Sequence, residues 1–570
     1  MAYYPHSCAA RRWLLALGPL LALAGAARAQ TYNTGPAYNA GTLYHSGAFT
    51  NTAGASFLNT GSAATASYAG PTFTNAGAYA ASAGATDQFV GPAGAAGAQE
   101  LAGTVAPRFE NLTLANGSSA AFTVSNAQGV RVGNTLALNN GITSTGRTTP
   151  AGAIRLLAGA TIAPGAGGYS DARHVDGYVG QVGGTTNAAG FVLPVGTAGA
   201  YQPVTLATAL TNAADSVRTA YFNTDPGTTT NPSDGIVHPR TRTGPGVGTV
   251  LPLAFWDWAR PAAAPTGPLG VRVALPAGLA VPAARLLLVG WNAAQARWEN
   301  LSGAGNTATG NARGATLSGT APAGITALAL AEQGIAVRLV VALQGPLVIN
   351  NSPTMGTGLN DEGVLDTYAL NQPYNTAPWD YTGPERVAAG YFTAHPTLVD
   401  WVLVELRAAS DYTTVLGRQA GLLRNDGVVL TPQGEQTITF PGLGAGGYYL
   451  SVRHRNHLTV LSNGAQALSS EPVSYDFTTG LAQALDNGNG NSMVQSNGKW
   501  AMWAGNSSGD GAVPDEVVDT VDRSYTIEEV KAGYTGQYRR GDLNLDAFTD
   551  TVDRSLQVKN TTVGPFSPLF

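Results

Sequence analysis

Residues 31–160 carry a repeated Asn-x-Gly pattern that separates short stretches rich in Thr, Ser and Ala. The pattern occurs at Asn33, Asn39, Asn59 and Asn75, each followed by glycine two positions later. Asn and Gly at this spacing mark turns between short strands. The region therefore favours an architecture built from many short strands and tight corners.

Apolar residues in the same region are paired at positions i and i+2, which is the period of a strand with one buried face. The pairs are Leu112/Leu114, Val130/Val132, Leu136/Leu138 and Ile154/Leu156. Apolar residues of successive pairs are twice separated by 24 residues, Leu112 from Leu136 and Val130 from Ile154. A repeat of this length predicts a parallel β-helix-like solenoid over residues 30–164, because each coil buries its inner face only against its neighbours. The alternative is a flexible Gly/Ala/Thr-rich linker that leads into a β-sandwich, since Phe122/Val124 has no apolar counterpart 24 residues later.

Longer apolar strands follow the solenoid region, separated by Gly, Pro and Asn and without a sustained helical period. They occur at 190–196, 271–275, 285–290, 337–341, 401–406 and 448–452. This pattern predicts two β-sandwiches, over residues 165–334 and 335–470, followed by a linker at 471–499. Most tryptophans of the chain fall in these blocks, where strand spacing favours a core role over a sugar-binding platform. The tryptophans concerned are Trp256, Trp258, Trp291, Trp298, Trp379 and Trp401.

The N-terminus has the pattern of a cleaved secretory signal over residues 1–29. Arg11 and Arg12 precede an apolar run that is too short to span a bilayer, and Ala27-Arg28-Ala29 suits cleavage before Gln30. The alternative is an uncleaved anchor. The one cysteine, Cys8, lies within this signal, so the exported chain is expected to contain no disulfide and no cysteine-bound metal. No later stretch reaches membrane-spanning length, so the protein is expected to be secreted or attached to the outer cell surface.

Charge is scarce along most of the chain. Charged residues make up 11% of the sequence and the net charge is −5, whereas hydrophobic residues make up 44%. A chain of this composition can bury a core but lacks the basic patch that nucleic acid requires. Nucleic acid is therefore excluded as an expected partner.

Residues 500–570 are much richer in charge and contain a run of oxygen-bearing side chains that is typical of a calcium loop. A 12-residue loop supplies Ca²⁺ with ligands from positions one, three, five, seven, nine and twelve, the seventh through a backbone carbonyl. Here these positions are Asp542, Asn544, Asp546, the carbonyl of Phe548, Asp550 and Asp553. Ala547 occupies the sixth position, where glycine normally permits the turn.

An upstream copy of this unit is indicated by the string Asp-Thr-Val-Asp-Arg-Ser, which occurs at 519–524 and again at 550–555. Each copy enters a short helical pattern. The candidate ligands of the first loop are Asn506, Ser508, Asp510, Ala512 through its carbonyl, Asp519 and Asp522. The competing interpretation is that these residues form Asx turns that cap helices, which requires only one Asp or Asn in each copy.

The duplicated loop-helix unit resembles a dockerin-type repeat. More widely, the chain resembles secreted surface proteins of Bacteroidetes, of the hemagglutinin-like or adhesin-like kind, at 191–196, 201–203, 372–379, 399–407, 453–458 and 522–524. The resemblance implies a modular exported β-protein that ends in a dockerin-like calcium-binding module at 500–570. It implies no established catalytic activity.

Two further clusters of charged and histidine side chains are candidate sites. Asp171, Arg173, His174 and Asp176 could serve acid-base chemistry on a polysaccharide, but turn and ion-pair roles are favoured because the solenoid region offers few other acids. His454 and His457 are three apart on an apparent strand, which predicts opposite faces and hydrogen bonds at a domain seam rather than a shared metal.

The sequence thus predicts a secreted, non-enzymatic cell-surface protein for adhesion or surface assembly, with a Ca²⁺-stabilised C-terminal module. Its expected partners are glycans or proteins of the cell surface or extracellular space. The alternative function is that of a polysaccharide-acting hydrolase or lyase, or of a carbohydrate-binding scaffold component.

Overall fold

The computed structural model describes residues 30–91, 97–117, 121–197, 199–260, 267–303, 307–508 and 515–570. The predicted signal, residues 1–29, lies outside these described residues, as do the candidate ligands Asp510 and Ala512. The described chain is mainly β with few helices, as the sequence predicts. Within this part of the chain, no helix has the length and apolar character needed to cross a membrane.

Parallel strands stack into three ladders and form the predicted β-solenoid. The first ladder contains Thr31–Asn33, Phe49–Asn51, Thr72–Asn75, Gln99–Gly103, Phe122–Val124, Thr143–Thr145, Val175–Asp176 and Val195–Thr197. The second contains Pro36–Asn39, Ser56–Asn59, Ala78–Ala81, the first parts of Arg108–Leu114 and Val130–Leu138, then Ile154–Leu156 and Val179–Val182. The third contains Thr42–His45, Thr65–Tyr68, Thr86–Phe89, the second parts of Arg108–Leu114 and Val130–Leu138, and Thr161–Pro164.

The 24-residue spacing seen in the sequence is the register of this stack. Leu112 pairs with Leu136 and Val130 with Ile154 in adjacent coils. Phe122 instead pairs with Thr143, so the length of a coil varies along the solenoid. Parallel stacking also continues beyond residue 164, since Val175 pairs with Val195.

The interior of the first coils is filled by aromatic rings and by two ladders of side-chain amides. Phe73 lies near the centre of the rings, with Phe49, Tyr68, Tyr79, Phe89 and Phe109 around it. In one ladder Asn33 donates to Asn51 over 2.8 Å and Asn51 to Asn75 over 2.7 Å. In the other, Asn39 donates to Asn59 over 2.9 Å and Asn59 to Asp87 over 3.2 Å. The Asn-x-Gly turns therefore also supply hydrogen bonds between coils.

The solenoid continues directly into a pair of packed antiparallel sheets. One sheet contains Ser216–Phe222, Val247–Ala259, Ile325–Val340, Leu286–Asn292 and Arg297–Asn300, and its first strand pairs with Val179–Val182 of the solenoid. The facing sheet contains Phe191–Leu193, Val204–Leu206, Leu269–Ala274 and Thr316–Ala321, and the hairpin strand Ala200–Tyr201 pairs with Val195–Thr197. Both sheets share one core with the solenoid.

A second sheet system follows without a break in the chain. The strand Ile325–Val340 crosses the predicted boundary at residue 334 and pairs there with Ile438–Pro441 and Val473–Asp476. The latter strand belongs to the stretch 471–499 that the sequence predicts as a linker, yet Phe477 and Met493 within it are buried. The main sheet contains Val429–Leu430, Asp411–Arg424, Leu398–Ala408, Gly446–His454, His457–Leu461 and Gln466–Leu468.

Short helices and turns complete this second body. The helices are Gln344–Asn350, Gly358–Asp361, Val364–Tyr368 and Tyr391–Ala394, and short 3₁₀ turns occur at Pro150–Gly152, Ala283–Arg285, Phe477–Thr479 and Leu481–Gln483. A hairpin of Val494–Ser496 and Lys499–Ala501 leads to the C-terminal helices Thr520–Ala532 and Thr551–Val563. The tryptophans Trp256, Trp258, Trp291, Trp298 and Trp401 are buried, in agreement with a core role, whereas Trp379 is only partly buried, at the edge of the second core.

Candidate metal centre

The two C-terminal helices begin in the same way at the repeated string. Asp519 and Asp550 are the N-caps, and their carboxylates accept the amides of Val521 and Val552. The third residues of the helices, Asp522 and Asp553, accept the cap amides in return, which makes a capping box in each unit. The helix-capping role proposed for these aspartates is therefore present in the structure, and any cation would bind in addition to it.

Equivalent residues of the two helices also face each other. Thr526 Oγ1 donates to Gln557 Oε1 over 3.2 Å, and these residues are 31 positions apart, which is the repeat length. The duplication in sequence is thus a duplication in structure.

The second loop folds around Asp542. This residue is fully buried, and its two carboxylate oxygens accept the amides of Asp546, over 3.2 Å, and Ala547, over 3.0 Å. Ala547 has φ of +72°, the left-handed conformation that glycine adopts with least strain, as its sixth position in the loop predicts. The loop therefore keeps its tight turn at the expense of local strain.

The far end of the second loop returns to its start. Asp553 Oδ1 accepts the amides of Leu543, over 2.8 Å, and Asn544, over 3.2 Å, while Oδ2 accepts the amide of Asp550 over 2.9 Å. Asn544 donates to Asp546 over 2.9 Å. Asp542 and Asp553 thus hold the two ends of the loop through its amides, but no three carboxylates of this loop come within 4.8 Å of one another among the described residues.

The remaining candidate ligands of this loop are placed differently. The side chain of Phe548 is 42% exposed, and its amide donates to Asp546 Oδ1 over 3.0 Å. Asp550 is exposed, and one of its oxygens caps the helix. The structure therefore shows hydrogen bonds for these two residues that are independent of a cation.

Two carboxylates of the second loop have raised pKa values. Burial and the neighbouring carboxylates Asp553 and Asp546 raise the pKa of Asp542 well above its ordinary value, although the charge of Arg455 opposes this. Burial also raises the pKa of Asp553 to about 7, against the backbone amides that donate to it. Oxygen donors that are buried together with like charges are the set that a hard divalent cation stabilises.

The first loop repeats part of this arrangement. Asp522 Oδ1 accepts the amides of Ser507, over 2.9 Å, and Ser508, over 2.8 Å, as Asp553 does in the second unit. Burial raises the pKa of Asp522 to about 6. Asn506 lies at the position of Asp542 but uses its amide to donate to the carbonyl of Asp515 over 2.7 Å.

An additional carboxylate that the sequence did not indicate joins the first loop. Asp515, Asp519 and Asp522 each place a carboxylate oxygen within 4.8 Å of the others. Asp515 lies in the inserted residues that make the first unit longer than the second, so a 12-residue template has no position for it. The sequence signal that could have indicated this residue is the presence of an aspartate four positions before the N-cap Asp519.

In the cluster of Asp171, Arg173, His174 and Asp176 at the end of the solenoid, each side chain bonds a different partner outside the cluster or a nearby backbone carbonyl. Asp171 pairs with Arg313 and accepts the amide of Tyr201, and Asp176 pairs with Arg147. Arg173 donates to the carbonyls of Ala166 and Asn140, and His174 is buried against the carbonyls of Ser170 and Thr197. These are the turn and ion-pair roles that the sequence favoured.

The prediction that His454 and His457 lie on opposite faces is wrong. Their Nδ1 atoms are 3.0 Å apart, because the two residues are cross-strand partners that flank a two-residue hairpin loop. The expected hydrogen bonds at a seam are present. His454 contacts Asp400 through Nε2, and His457 Nε2 accepts the amide of Gly345 over 3.3 Å.

Comparison with known proteins gives no family assignment. No protein-family model matches the chain, and no curated protein matches it in sequence. Among solved structures, a C-terminal interface mutant of a type II cohesin–X-dockerin complex from Acetivibrio cellulolyticus is 13% identical, over 42% of this chain and 100% of that one, with a TM-score of 0.21. An N-terminal interface mutant of the same kind of complex is 14% identical, over 30% of this chain and 84% of that one, with a TM-score of 0.19. Likenesses of this size carry no argument about fold or function.

Proposed function

We propose that this protein is a secreted, non-enzymatic cell-surface protein for adhesion or surface assembly, and that Ca²⁺ orders its C-terminal module. The observation that carries the proposal is the burial of Asp542 and Asp553 beside one another in a duplicated loop-helix unit. Two buried carboxylates of like charge destabilise the folded loop unless a cation compensates them. Residues 1–29 would direct export.

The residues that would hold the ions follow from the two units. In the second loop these are Asp542, Asn544, Asp546, Asp553, Asp550 and the carbonyl of Phe548. In the first loop they are Asn506, Ser508, Asp519 and Asp522, with Asp515 added by the structure. Ca²⁺ would supply charge compensation there, and the chain's own amides would continue to orient the carboxylates.

The proposed partners are extracellular glycans or proteins, because the solenoid and the two C-terminal helices expose aromatic and apolar side chains. Tyr32, Tyr38 and Tyr44 of the first coil are 62%, 72% and 52% exposed. Val521 and Val552, at equivalent positions of the two helices, are 44% and 45% exposed. Exposed aromatic and apolar side chains of this kind suit a binding surface.

Calcium is expected to raise the thermal stability of the protein. Asp542→Asn is expected to remove the part of this stabilisation that comes from a cation bound in the second loop. Binding at a hundredfold excess over the dissociation constant contributes about 2.7 kcal/mol per site. In EDTA the variant should melt at or above the temperature of the unchanged protein, because it loses a buried charge. In Ca²⁺ it should melt lower. Differential scanning calorimetry in both conditions measures this reversal.

The matched control for this experiment is Asp486→Asn. Asp486 is exposed and accepts the amides of Gly488 and Gly490 in a turn of its own. Its variant should keep the full calcium response. An equal calcium response in Asp542→Asn and the unchanged protein would exclude the second loop as a cation site.

Binding and catalysis can be separated with the calcium-loaded protein. We expect retention on a glycan array, or on immobilised extracellular proteins, that is lost in EDTA. We expect no release of reducing sugar from polysaccharides. Sugar release by the pure protein would support the hydrolase or lyase alternative instead.

A further inference from the structure

A hairpin of the main body, residues 453–457, contacts both loop-helix units, and we name it the docking turn. It joins the strands Gly446–His454 and His457–Leu461, and all five of its residues are buried. Buried charged and amide side chains at a turn are uncommon unless they have fixed partners. His454 and His457 have partners in the main body, Asp400 and Gly345. The other three residues, Arg453, Arg455 and Asn456, also reach the C-terminal module.

The tip of the docking turn bonds the backbone at the start of the second loop. The Nδ2 atom of Asn456 donates to the carbonyl of Asp542 over 2.6 Å and to the carbonyl of Arg540 over 3.1 Å. Asp542 is the first residue of the loop. A fully buried side chain from the main body thus holds the residue that would provide the first ligand.

The neighbouring residue forms a charged cluster with the approach to the loop. Arg455 Nε donates to Asp400 over 2.9 Å, and the hydroxyl of Tyr538 donates to the other oxygen of Asp400 over 2.5 Å. The Arg455 guanidinium also stacks over the Tyr538 ring, 4.1 Å from its centroid. Although burial acts to raise the pKa of Asp400, Arg455 and His454 hold it at about 2, so the cluster stays ionised.

On each side an arginine side chain also bonds a backbone carbonyl of the other side. Arg455 donates to the carbonyl of Arg539, and Arg540 Nε donates to the carbonyl of Arg455 over 3.1 Å. Arg453 Nη1 reaches the first unit and donates to Glu516 over 2.6 Å. The docking turn therefore bonds both units through side chains that are otherwise expensive to bury.

The second loop also meets the main body from another direction. A Cβ atom on Gly345 would lie 1.8 Å from the carbonyl oxygen of Leu543, so only glycine fits there. The amide of Leu359 donates to the carbonyl of Leu545 over 3.0 Å. These contacts fix the loop backbone on two sides, and the exposed side remains at Phe548 and Asp550.

We propose that the docking turn positions the second loop for cation binding, so that cation affinity and docking of the module on the main body are thermodynamically linked. This inference rests on the proposed function, since it requires a cation in the loop. Groups that orient metal ligands without touching the metal commonly change metal affinity by about 10- to 100-fold. Linkage is reciprocal, so removal of the cation must loosen docking by the same factor.

The reciprocal effect is measurable in the unchanged protein by trypsin digestion. Arg539 and Arg540 lie just before the loop, separated from Asp542 by Gly541, and are partly buried. Both bond Arg455 of the docking turn. With Ca²⁺ we expect protection of both sites, and with EDTA we expect rapid cleavage after them, detected by mass spectrometry. Continued protection in EDTA would overturn the linkage, because docking would then be independent of the cation.

The direct effect is measured with Asn456→Ala. We expect its calcium midpoint, followed by titration calorimetry with Ca²⁺ alone, to rise about tenfold. The control is Asn463→Ala, because Asn463 also donates to a backbone carbonyl, that of Ala482. Its backbone amide bonds Tyr475 and Gln483, which likewise lie outside the module. Its midpoint should be unchanged.

A milder variant covers the case in which Asn456→Ala does not fold. Tyr538→Phe removes the hydrogen bond to Asp400 and keeps the ring under Arg455. It should raise the midpoint about tenfold, the low end of what is expected from one lost hydrogen bond to a charged group. Midpoints equal to that of the unchanged protein would refute the inference, whereas absence of any calcium response in the unchanged protein would refute the proposed function instead.

Discussion

Replacement of Glu405 by alanine is expected to destabilise the main body by about 3–5 kcal/mol. Glu405 is fully buried, and its carboxylate accepts hydrogen bonds from Arg407, Arg418 and Arg453. Burial acts to raise the pKa of Glu405, but these three arginines hold it below its ordinary value. Without the carboxylate, Arg407 and Arg453 would remain buried with much of their charge uncompensated.

Urea denaturation of the variant and the unchanged protein at the same calcium concentration measures the loss. The control is Glu528→Ala, because the Glu528–Lys531 pair is exposed, with side chains 70% and 65% accessible. An exposed pair of this kind contributes at most about 1 kcal/mol. Equal losses in the two variants would mean that the buried cluster does not stabilise this body.

The sequence predicted the solenoid well because its signal is local and periodic. The apolar pairs Leu112/Leu114 and Leu136/Leu138 mark strands, and their spacing is the register itself. The inter-coil bonds of Asn51 and Asn59 were not foreseen, since a turn asparagine has the same local sequence whether or not another asparagine lies above it. The apolar pattern does not mark the coil after Phe122, because its partner Thr143 is polar.

The candidate metal site was predictable only in its local part. The second loop is one continuous segment, so the spacing of Asp542, Asn544, Asp546 and Asp553 indicated it directly. The contact with Asn456 is not encoded by any pattern within the loop, because Asn456 lies 86 positions before Asp542 in the sequence. The histidine error has the same origin, since one continuous strand was assumed where the chain makes a hairpin.

Asp87 is expected to make the solenoid less stable as the pH rises from about 4 to about 7. It ends the ladder of Asn39 and Asn59, where its Oδ1 accepts Asn59 Nδ2 and, over 2.5 Å, the hydroxyl of Tyr79. Its Oδ2 has no hydrogen-bond partner, and the side chain is fully buried. Burial accordingly raises the pKa of Asp87 from 3.8 to about 7, against the two hydrogen bonds that favour the charged form.

The sign of the effect follows from proton uptake. Between pH 4 and 7 the folded solenoid holds a proton on Asp87 that the unfolded chain has released, so stability falls as the pH increases. The shift corresponds to roughly 4 kcal/mol, complete above pH 7 and absent below pH 4. The effect opposes the usual behaviour of a salt-bridged aspartate, whose stability is lost on acidification.

Asp87→Asn should remove this pH dependence, because an amide can accept the same two hydrogen bonds without a charge. Hydrogen exchange of the strands Ser56–Asn59 and Thr86–Phe89, compared between the variant and the unchanged protein at pH 5 and pH 8, isolates the solenoid from the rest of the chain. We expect similar protection at pH 5 and much greater protection of the variant at pH 8. Equal protection of the two proteins at pH 8 would show that the buried carboxylate is compensated by its neighbours, and the amide ladder would then tolerate a charge at its end.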